Sequence, residues 1–430
     1  MRRDPLRGSA IIARDQRPTL LFFTARAVAM ELQIPKNVQP KELAYSRKRT
    51  LPIRVMQILG DPRGGIRKHV HEVILGLPST DFVCSYAHGC TVDANFADEI
   101  DQVREHTAAT LALKVRKAPH LSDLYNVALL ARHARSAGIE VLHGHGAKAG
   151  VYARLVSRLC GIKAVYTPHG GSVHAMFSPL KTGLYGAAEK LLLPLTDVFL
   201  FESRYSAESY QARVGKQPRR SIVNHHGIRI PDGEAIARRA QLLDYPRRFP
   251  RAFHIGMFGI LRHQKGQEFG VQAIAELVRA GWPLMLHVYG DGPDRARLER
   301  LAGSLGLSER ICFHGHVTDA EAHMYCVDLV LIPSLFESFG YVAIEAMSLR
   351  RAVIAANVGG LREIVENGST GMLVEPGNVE EFKNAISFLV GNDRARLKFI
   401  EAGYQRFLHE FTYDRMIHNI CTVYHELAGR

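Results

Sequence analysis

From residue 51 onward, short apolar runs alternate with longer segments whose apolar positions recur at helical spacing. "IRVMQIL" reads as a strand, Gly64-Gly65 as a turn and "IRKHVHEVILGL" as a helix. "DFVCSYAH" predicts the next strand, "SDLYNVALLARHARSAG" a helix closed by Gly138, and "EVLHGHG", "KAVYTPHG" and "DVFLFES" further strands. A charged, turn-rich stretch, "PDGEAIARRAQLLDYPRRFPRA", then interrupts the pattern, and a domain boundary is expected near its end. The alternation resumes with "FHIGMFG", "PLMLHVYGDGP", "ICFHGHV", "DLVLIPS" and "AVIAANVGG", and the chain closes on an amphipathic helix, "YDRMIHNICTVYHEL". Strands alternating with helices imply an α/β protein with parallel sheets covered on both faces. Two such units in series predict two Rossmann-like domains facing across a cleft. The expected division is a poorly ordered basic extension at 1–50, one domain at 51–245, a second at 246–408, and a terminal helix at 409–430.

Length and composition agree: 430 residues, 47% of them hydrophobic, suffice for two cores of about 150 to 200 residues each. No apolar run reaches the ~20 residues of a membrane span. "TLLFFTARAVAM", preceded by Arg2, Arg3, Arg7, Arg14 and Arg17, imitates a secretory leader, but Arg26 breaks its apolar part too early. Met30 and Met56 are alternative starts. The six cysteines form no C-x-x-C pair and lie in apolar surroundings, so reduced, buried thiols in a cytoplasmic protein are expected. The net charge of +13 divides into +7 over residues 1–50, +9 over 51–250 and −3 over 251–430. A basic first half favours an anionic partner such as a phospholipid surface or a diphosphate-bearing acceptor. No recognisable nucleic-acid-binding module accompanies it, so nucleic acid is not expected as a partner.

"VLHGHGAKAG" places Gly144, Gly146 and Ala149 in a dinucleotide-fold spacing, yet residues 141 to 188 contain no acid to hold a ribose, which disfavours a nicotinamide enzyme. No P-loop is present, and no two aspartates stand two positions apart to hold a metal-bound diphosphate. A diphosphate bound here would be neutralised by Lys, Arg or helix N-termini. Gly64-Gly65, after the first strand, can turn backbone N–H groups toward an anion or simply form a tight turn. "FGILRHQKG" sets Arg262 and Lys265 after the first strand of the second half, where a charged surface loop is the ordinary identity. His169, in "TPHG", follows a strand, and a lone histidine there is more often a satisfied structural residue than a catalyst.

The carboxylates Glu337 and Glu345, in "SLFESFGYVAIEAM", are more specific. "DLVLIPS" reads as a buried strand and "SFGYVAIEAM" as the start of a helix, which sets Glu337 in the turn and Glu345 about two helical turns further on. Glu337 would then lie beside the N–H groups of Ser338, Phe339 and Gly340, an arrangement suited to a polyhydroxylated ligand. Answering the helix dipole would explain Glu337 but not a second carboxylate inside an apolar helix.

These segments, in order with "VYGDGPDRARLERLAGSLGLSERICFHGHV" and "GGLREIVENGSTGMLVEPGN", resemble the retaining nucleotide-sugar glycosyltransferases of the GT-B fold, glycosyltransferase family 4, over about residues 51 to 428. The resemblance implies that Glu345 binds the ribose and Glu337 the donor sugar, helped by the N–H groups of Phe339 and Gly340. It further implies that Lys265 holds the diphosphate with Gly65 closing on it, and that His169 approaches the reaction centre. Residues 290 to 293, His316 and Val317 would line the nucleotide pocket, and the helix after Phe411 would cross back onto the first domain. One departure stands out: the family's arginine is replaced by Ile260, with Arg262 two positions later as its substitute.

The implied activity is sugar transfer from a nucleotide diphosphate-sugar to an acceptor hydroxyl, with retention and with no metal or cofactor. The acceptor would be a saccharide, in particular a lipid-linked one of bacterial exopolysaccharide or lipopolysaccharide assembly, reached at the inner membrane surface. A nucleotide-sugar 2-epimerase of the same architecture and a non-catalytic sugar-nucleotide-binding protein are the alternatives.

Overall fold

The computed structural model describes residues 51–62, 64–90, 94–116, 118–170, 179–243 and 249–430; the basic extension expected at 1–50 lies outside the described residues. Two parallel sheets organise the chain. The first contains β1 (Ile53–Leu59), β2 (Phe82–Gly89), β3 (Ala109–Leu113), β4 (Val141–His145), β5 (Lys163–Thr167), β6 (Val198–Phe201) and β7 (Ser221–Val223). The second contains β8 (Phe253–Phe258), β9 (Leu284–Tyr289), β10 (Ile311–Gly315), β11 (Leu329–Ile332), β12 (Ala352–Ala356) and β13 (Met372–Val374). Their orders are β3-β2-β1-β4-β5-β6-β7 and β10-β9-β8-β11-β12-β13, so the winding reverses between β1 and β4 and between β8 and β11. Ligands of doubly wound sheets bind outside the strand ends at such reversals. The segments after β1 and β8 carry Gly65 and Lys265; Gly64 and Gly65, expected as a turn, already form the first residues of the helix that follows β1.

Alternation along each strand feeds two cores per sheet. Ile53, Val55 and Leu59 of β1 pack with Val70 and Val73 of the first helix, Gly64–Gly76, and with Met416 and Ile420 of the terminal helix, Tyr413–Leu427. Met56 and Ile58 face Leu130, Tyr152 and Val156. In the second sheet Ile255 and Leu286 pack against Ile274 and Phe382, while Val330 and Val353 face Ile344, Met347 and Phe407. The last helix therefore completes the core of the first domain although it follows the second in sequence. A fully buried Arg154 donates to Glu189 at 2.6 Å and lies over the ring of Tyr166 at 4.2 Å. Removing one partner of such a pair costs about 3–5 kcal/mol, so this charge serves the fold.

Three further expectations need correction. The stretch expected to be turn-rich contains a helix, Gly233–Ala240, capped by Asp232 and packed through Ile236 beside Met324 and Val327 of the second domain. The carboxylate helix starts only at Tyr341, so Glu345 lies just over one turn in rather than two. The backbone of Gly340, at φ 120°, holds the preceding residues out of the helix, and a Cβ there would stand 2.6 Å from Leu361. The cysteines are free as expected, but of the six only Cys84 is buried and Cys90 is exposed.

Candidate active site

Adjacent strands deliver Lys265 and Glu337 to one another. β8 leads into the short turn His263–Lys265, and β11, its neighbour in the sheet, leads into the loop that holds Glu337. The Gln264 carbonyl accepts the N–H groups of Leu335 and Phe336 at 2.8 and 3.2 Å, which stitches the two loops together. Gly266 permits this approach, because a Cβ on it would meet the Pro333 carbonyl oxygen at 2.1 Å. Lys265 Nζ then donates to Glu337 Oε2 at 2.5 Å. Beside this pair, the N–H groups of Ser338, Phe339 and Gly340 have no hydrogen-bond partner among the described residues. A cation, a carboxylate and a row of N–H donors thus occupy one strand-end loop pair.

The first domain reaches this region through the opening of its first helix. Lys68 Nζ donates to Glu345 Oε1 at 2.6 Å and stands 5.3 Å from the centroid of the Tyr341 ring. Partial burial opposes the charge on Lys68, but the adjacent carboxylates of Glu345 and Glu72 outweigh it and raise its pKa. Gly65 faces the same ring, with room for a Cβ 3.5 Å from Tyr341 Cδ2. Gly64, Gly65, Lys68, Glu72, Tyr341 and Glu345 line a cavity of ≈ 470 Å³ between the domains. Ser203 Oγ donates to the Ser338 carbonyl at 2.7 Å, and Glu363 accepts the N–H groups of Arg204 and Tyr205, which ties the domains together at the Glu337 loop as well. Arg262 is exposed and makes no ion pair among the described residues.

His169, two residues beyond β5, has a left-handed backbone conformation, φ 51°, uncommon for a residue with a Cβ. The buried Glu202 carboxylate, at the end of the neighbouring β6, accepts its N–H and so helps to hold that geometry. Burial raises the Glu202 pKa to about 7, against the lowering effect of hydrogen bonds from Ser206 and from the backbone. Its second oxygen, Oε2, is buried with no hydrogen-bond partner among the described residues.

A relay of hydrogen bonds runs from the terminal helix to His169. Gln57 Nε2 donates to the Tyr424 hydroxyl at 2.8 Å, so Gln57 Oε1, 2.9 Å from His145 Nε2, must accept. Burial keeps His145 neutral, with its pKa well below the usual imidazole value. Its Nδ1 is therefore bare and accepts from His169 Nε2, 3.2 Å away. Gln57 thereby fixes the tautomer of both histidines, and the remaining ring nitrogen of His169, Nδ1, is left as an acceptor. His226 stacks between His169, at 5.4 Å, and Tyr341, at 5.0 Å, so that His169 communicates with the carboxylate helix through one ring.

The structure thus pairs Lys265 with Glu337, and places Gly65 and Glu345 on one cavity. His169 meets them through His226, whereas Arg262 joins neither group. Lys68, Gln57, His145, Glu202 and His226 are additions that sequence reasoning missed. The only local signal was "HGH", whose His143 and His145 share a face of β4; the others come from separate strands and helices.

Comparisons with known proteins bear on the family and the fold. The family described as "Glycosyl transferases group 1" matches residues 247–406, and "Glycosyl transferase 4-like domain" matches residues 64–227. An alpha-D-kanosaminyltransferase of Streptomyces kanamyceticus is 29% identical over 277 residues, covering 60% of this chain and 69% of its own. An uncharacterized glycosyltransferase of Methanocaldococcus jannaschii is 26% identical over 85% of this chain and 95% of its own. The crystal structure of Anabaena HepE in complex with UDP superposes with a TM-score of 0.72 at 20% identity, over 86% of this chain and 99% of that one.

Proposed function

Because the chain belongs to the group 1 glycosyltransferases and has their GT-B architecture, we propose that it transfers a sugar from a nucleotide diphosphate-sugar to an acceptor hydroxyl with retention and without a metal. The observation that carries this reading is the Lys265–Glu337 pair beside the open N–H groups of residues 338 to 340. Lys265 neutralises the diphosphate in place of a metal ion, and the open N–H groups of Phe339 and Gly340 help to hold the donor sugar. Glu337 holds the donor sugar, Glu345 the ribose, and Gly65 lets the first helix approach the diphosphate. His169 offers Nδ1 to a sugar hydroxyl, and Arg262 supplies the guanidinium that Ile260 lacks. As the bond from C1 of the sugar to the phosphate oxygen breaks, the acceptor oxygen bonds C1 on the same face. The departing phosphate oxygen takes the acceptor proton. Such a reaction calls for positioning and charge neutralisation rather than a strong base.

The lipid-linked acceptor is the finer part of the proposal. Charge supports it: residues 51–250 carry +9 and residues 251–430 carry −3, which orients the first domain toward an anionic surface. Among the described residues no helix is long and apolar enough to cross a membrane, and a cytoplasmic enzyme bound peripherally at the inner membrane face fits this charge distribution.

The test is a thermal-shift panel of sugar nucleotides followed by incubation of the best stabiliser with and without saccharide acceptors. Release of nucleoside diphosphate with a glycosylated acceptor is expected. Epimerised donor formed without acceptor would establish the isomerase instead, and binding with no conversion of either kind would establish a non-catalytic protein.

A further inference from the structure

Outside the cleft, the second sheet carries a row of imidazoles on one face. His287 on β9 stands in register with Cys312 on β10, and His314, at an irregularity of that pairing, sets its Nε2 3.0 Å from His287 Nδ1. The opposite face of the same strands, through Leu286 and Val288, is apolar core. One ring nitrogen each from His287 and His314 and the thiol sulfur of Cys312 lie within 4.8 Å of one another.

The hydrogen bonds of this row have a single consistent direction. The Phe249 carbonyl can only accept, so His254 Nε2, 3.2 Å away, donates to it. The neutral His254 then presents a bare Nδ1, which accepts from His287 Nε2 at 2.9 Å. His287 Nδ1 is in turn bare and accepts from His314 Nε2 at 3.0 Å. One backbone carbonyl therefore sets the tautomer of His287 and aims its lone pair at the space shared with His314 and Cys312. An outer hydrogen bond that fixes the free nitrogen of a ligand histidine is the usual support of a metal site.

We propose that His287, Cys312 and His314 bind a divalent ion of the zinc class, a site separate from the sugar-transfer chemistry. Zinc–nitrogen bonds of about 2.0–2.1 Å at a tetrahedral angle hold two nitrogens about 3.3 Å apart. The present separation is 3.0 Å, so the ion replaces the shared proton once the two rings tilt to turn both lone pairs onto it. His314 shifts its proton to Nδ1, the Cys312 thiol releases its proton to solvent as the metal–sulfur bond forms, and water fills the fourth position. Cys312 and His314 are part-exposed, which gives the ion a route in, whereas His287 is fully buried. Bound there, the ion ties edge strand β10 to β9 directly beneath the turns at 290–293 and 316–317.

The test is titration of the full, reduced and chelator-treated chain with Co²⁺. One equivalent should produce a thiolate-to-cobalt charge-transfer band in the near ultraviolet, removed by added Zn²⁺ and absent in Cys312→Ser. His254→Leu should keep the band while weakening Co²⁺ affinity about 10- to 100-fold. If Cys312→Ser does not fold by circular dichroism, His314→Gln takes its place and should lose saturation at one equivalent. Absence of the band in the parent chain, or its persistence at one equivalent in the folded variant, overturns the site. The readout involves no sugar donor, so it is independent of the proposed transfer reaction.

Discussion

Lys68 Nζ and Glu345 Oε1 stand 2.6 Å apart and join the first helix of one domain to the carboxylate helix of the other. Their side chains are 45% and 26% exposed, so the pair contributes at most about 1 kcal/mol. A ribose that hydrogen-bonds Glu345 can displace or share this contact at small cost. Lys68→Met should therefore alter the donor KM by no more than about fivefold, which is the kinetic equivalent of that energy. Glu345→Gln removes a charged hydrogen-bond acceptor worth about 1.5–3 kcal/mol and should weaken donor binding roughly 10- to 100-fold. Donor titrations of both variants decide the matter: a larger loss in Lys68→Met would reassign the ribose role.

Lys265→Ala should lower transfer by about 10²- to 10³-fold, the usual cost of removing one preorganised charge-stabilising donor. The side chain is part-exposed and outside the buried cores, so the melting temperature should stay near that of the parent. EDTA should leave turnover nearly unchanged. Near-normal rates in Lys265→Ala would remove its diphosphate role, and a large loss with EDTA that is recovered by metal and is also seen in the folded Cys312→Ser variant would replace the metal-free mechanism.

Glu202 predicts a pH signature. Its native pKa of about 7 exceeds the unperturbed 4.5, so the folded state holds a proton that the unfolded state has released. Stability from this group is complete below pH ~4.5 and lost as pH rises through about 7, up to about 3 kcal/mol in all. Glu202→Gln cannot ionise, so its stability relative to the parent should improve by that order between pH 4.5 and 8. Urea unfolding of both proteins across this range measures the difference; a constant offset would refute the buried proton.

Much of the fold was legible because a buried parallel strand is a short apolar run that ends where a turn begins. β7 and β13, each three residues long and half-buried, lack that contrast. The helix Gly233–Ala240 was obscured by the same arginines and flanking Pro and Gly that make a stretch resemble a loop, because its buried stripe is little more than Ile236 and Ala240. The carboxylates were legible as polar exceptions in an apolar setting. The relay to His169 was not, because Gln57, His145 and Tyr424 come from three distant segments that meet only through sheet order.

Tyr424→Phe isolates the far end of that relay. Without the hydroxyl, Gln57 Nε2 loses the acceptor that orients it and His143 Nδ1, 2.7 Å from the same oxygen, loses its partner. Leaving buried polar groups unsatisfied costs about 1–3 kcal/mol. Chemical unfolding should register that loss, while Tyr125→Phe, on an exposed tyrosine, should change little. Equal stability of the two variants would show that the relay does not depend on this hydroxyl.

The same terminal helix imposes an order on synthesis. Residues 51–243 leave the ribosome long before residue 413, yet Met416, Ile420 and Tyr424 belong to the core of that first-made half. The nascent first domain must wait, with part of one face of its sheet uncovered, while the whole second domain is translated; chains truncated before residue 413 would keep that apolar patch open to chaperones and to aggregation.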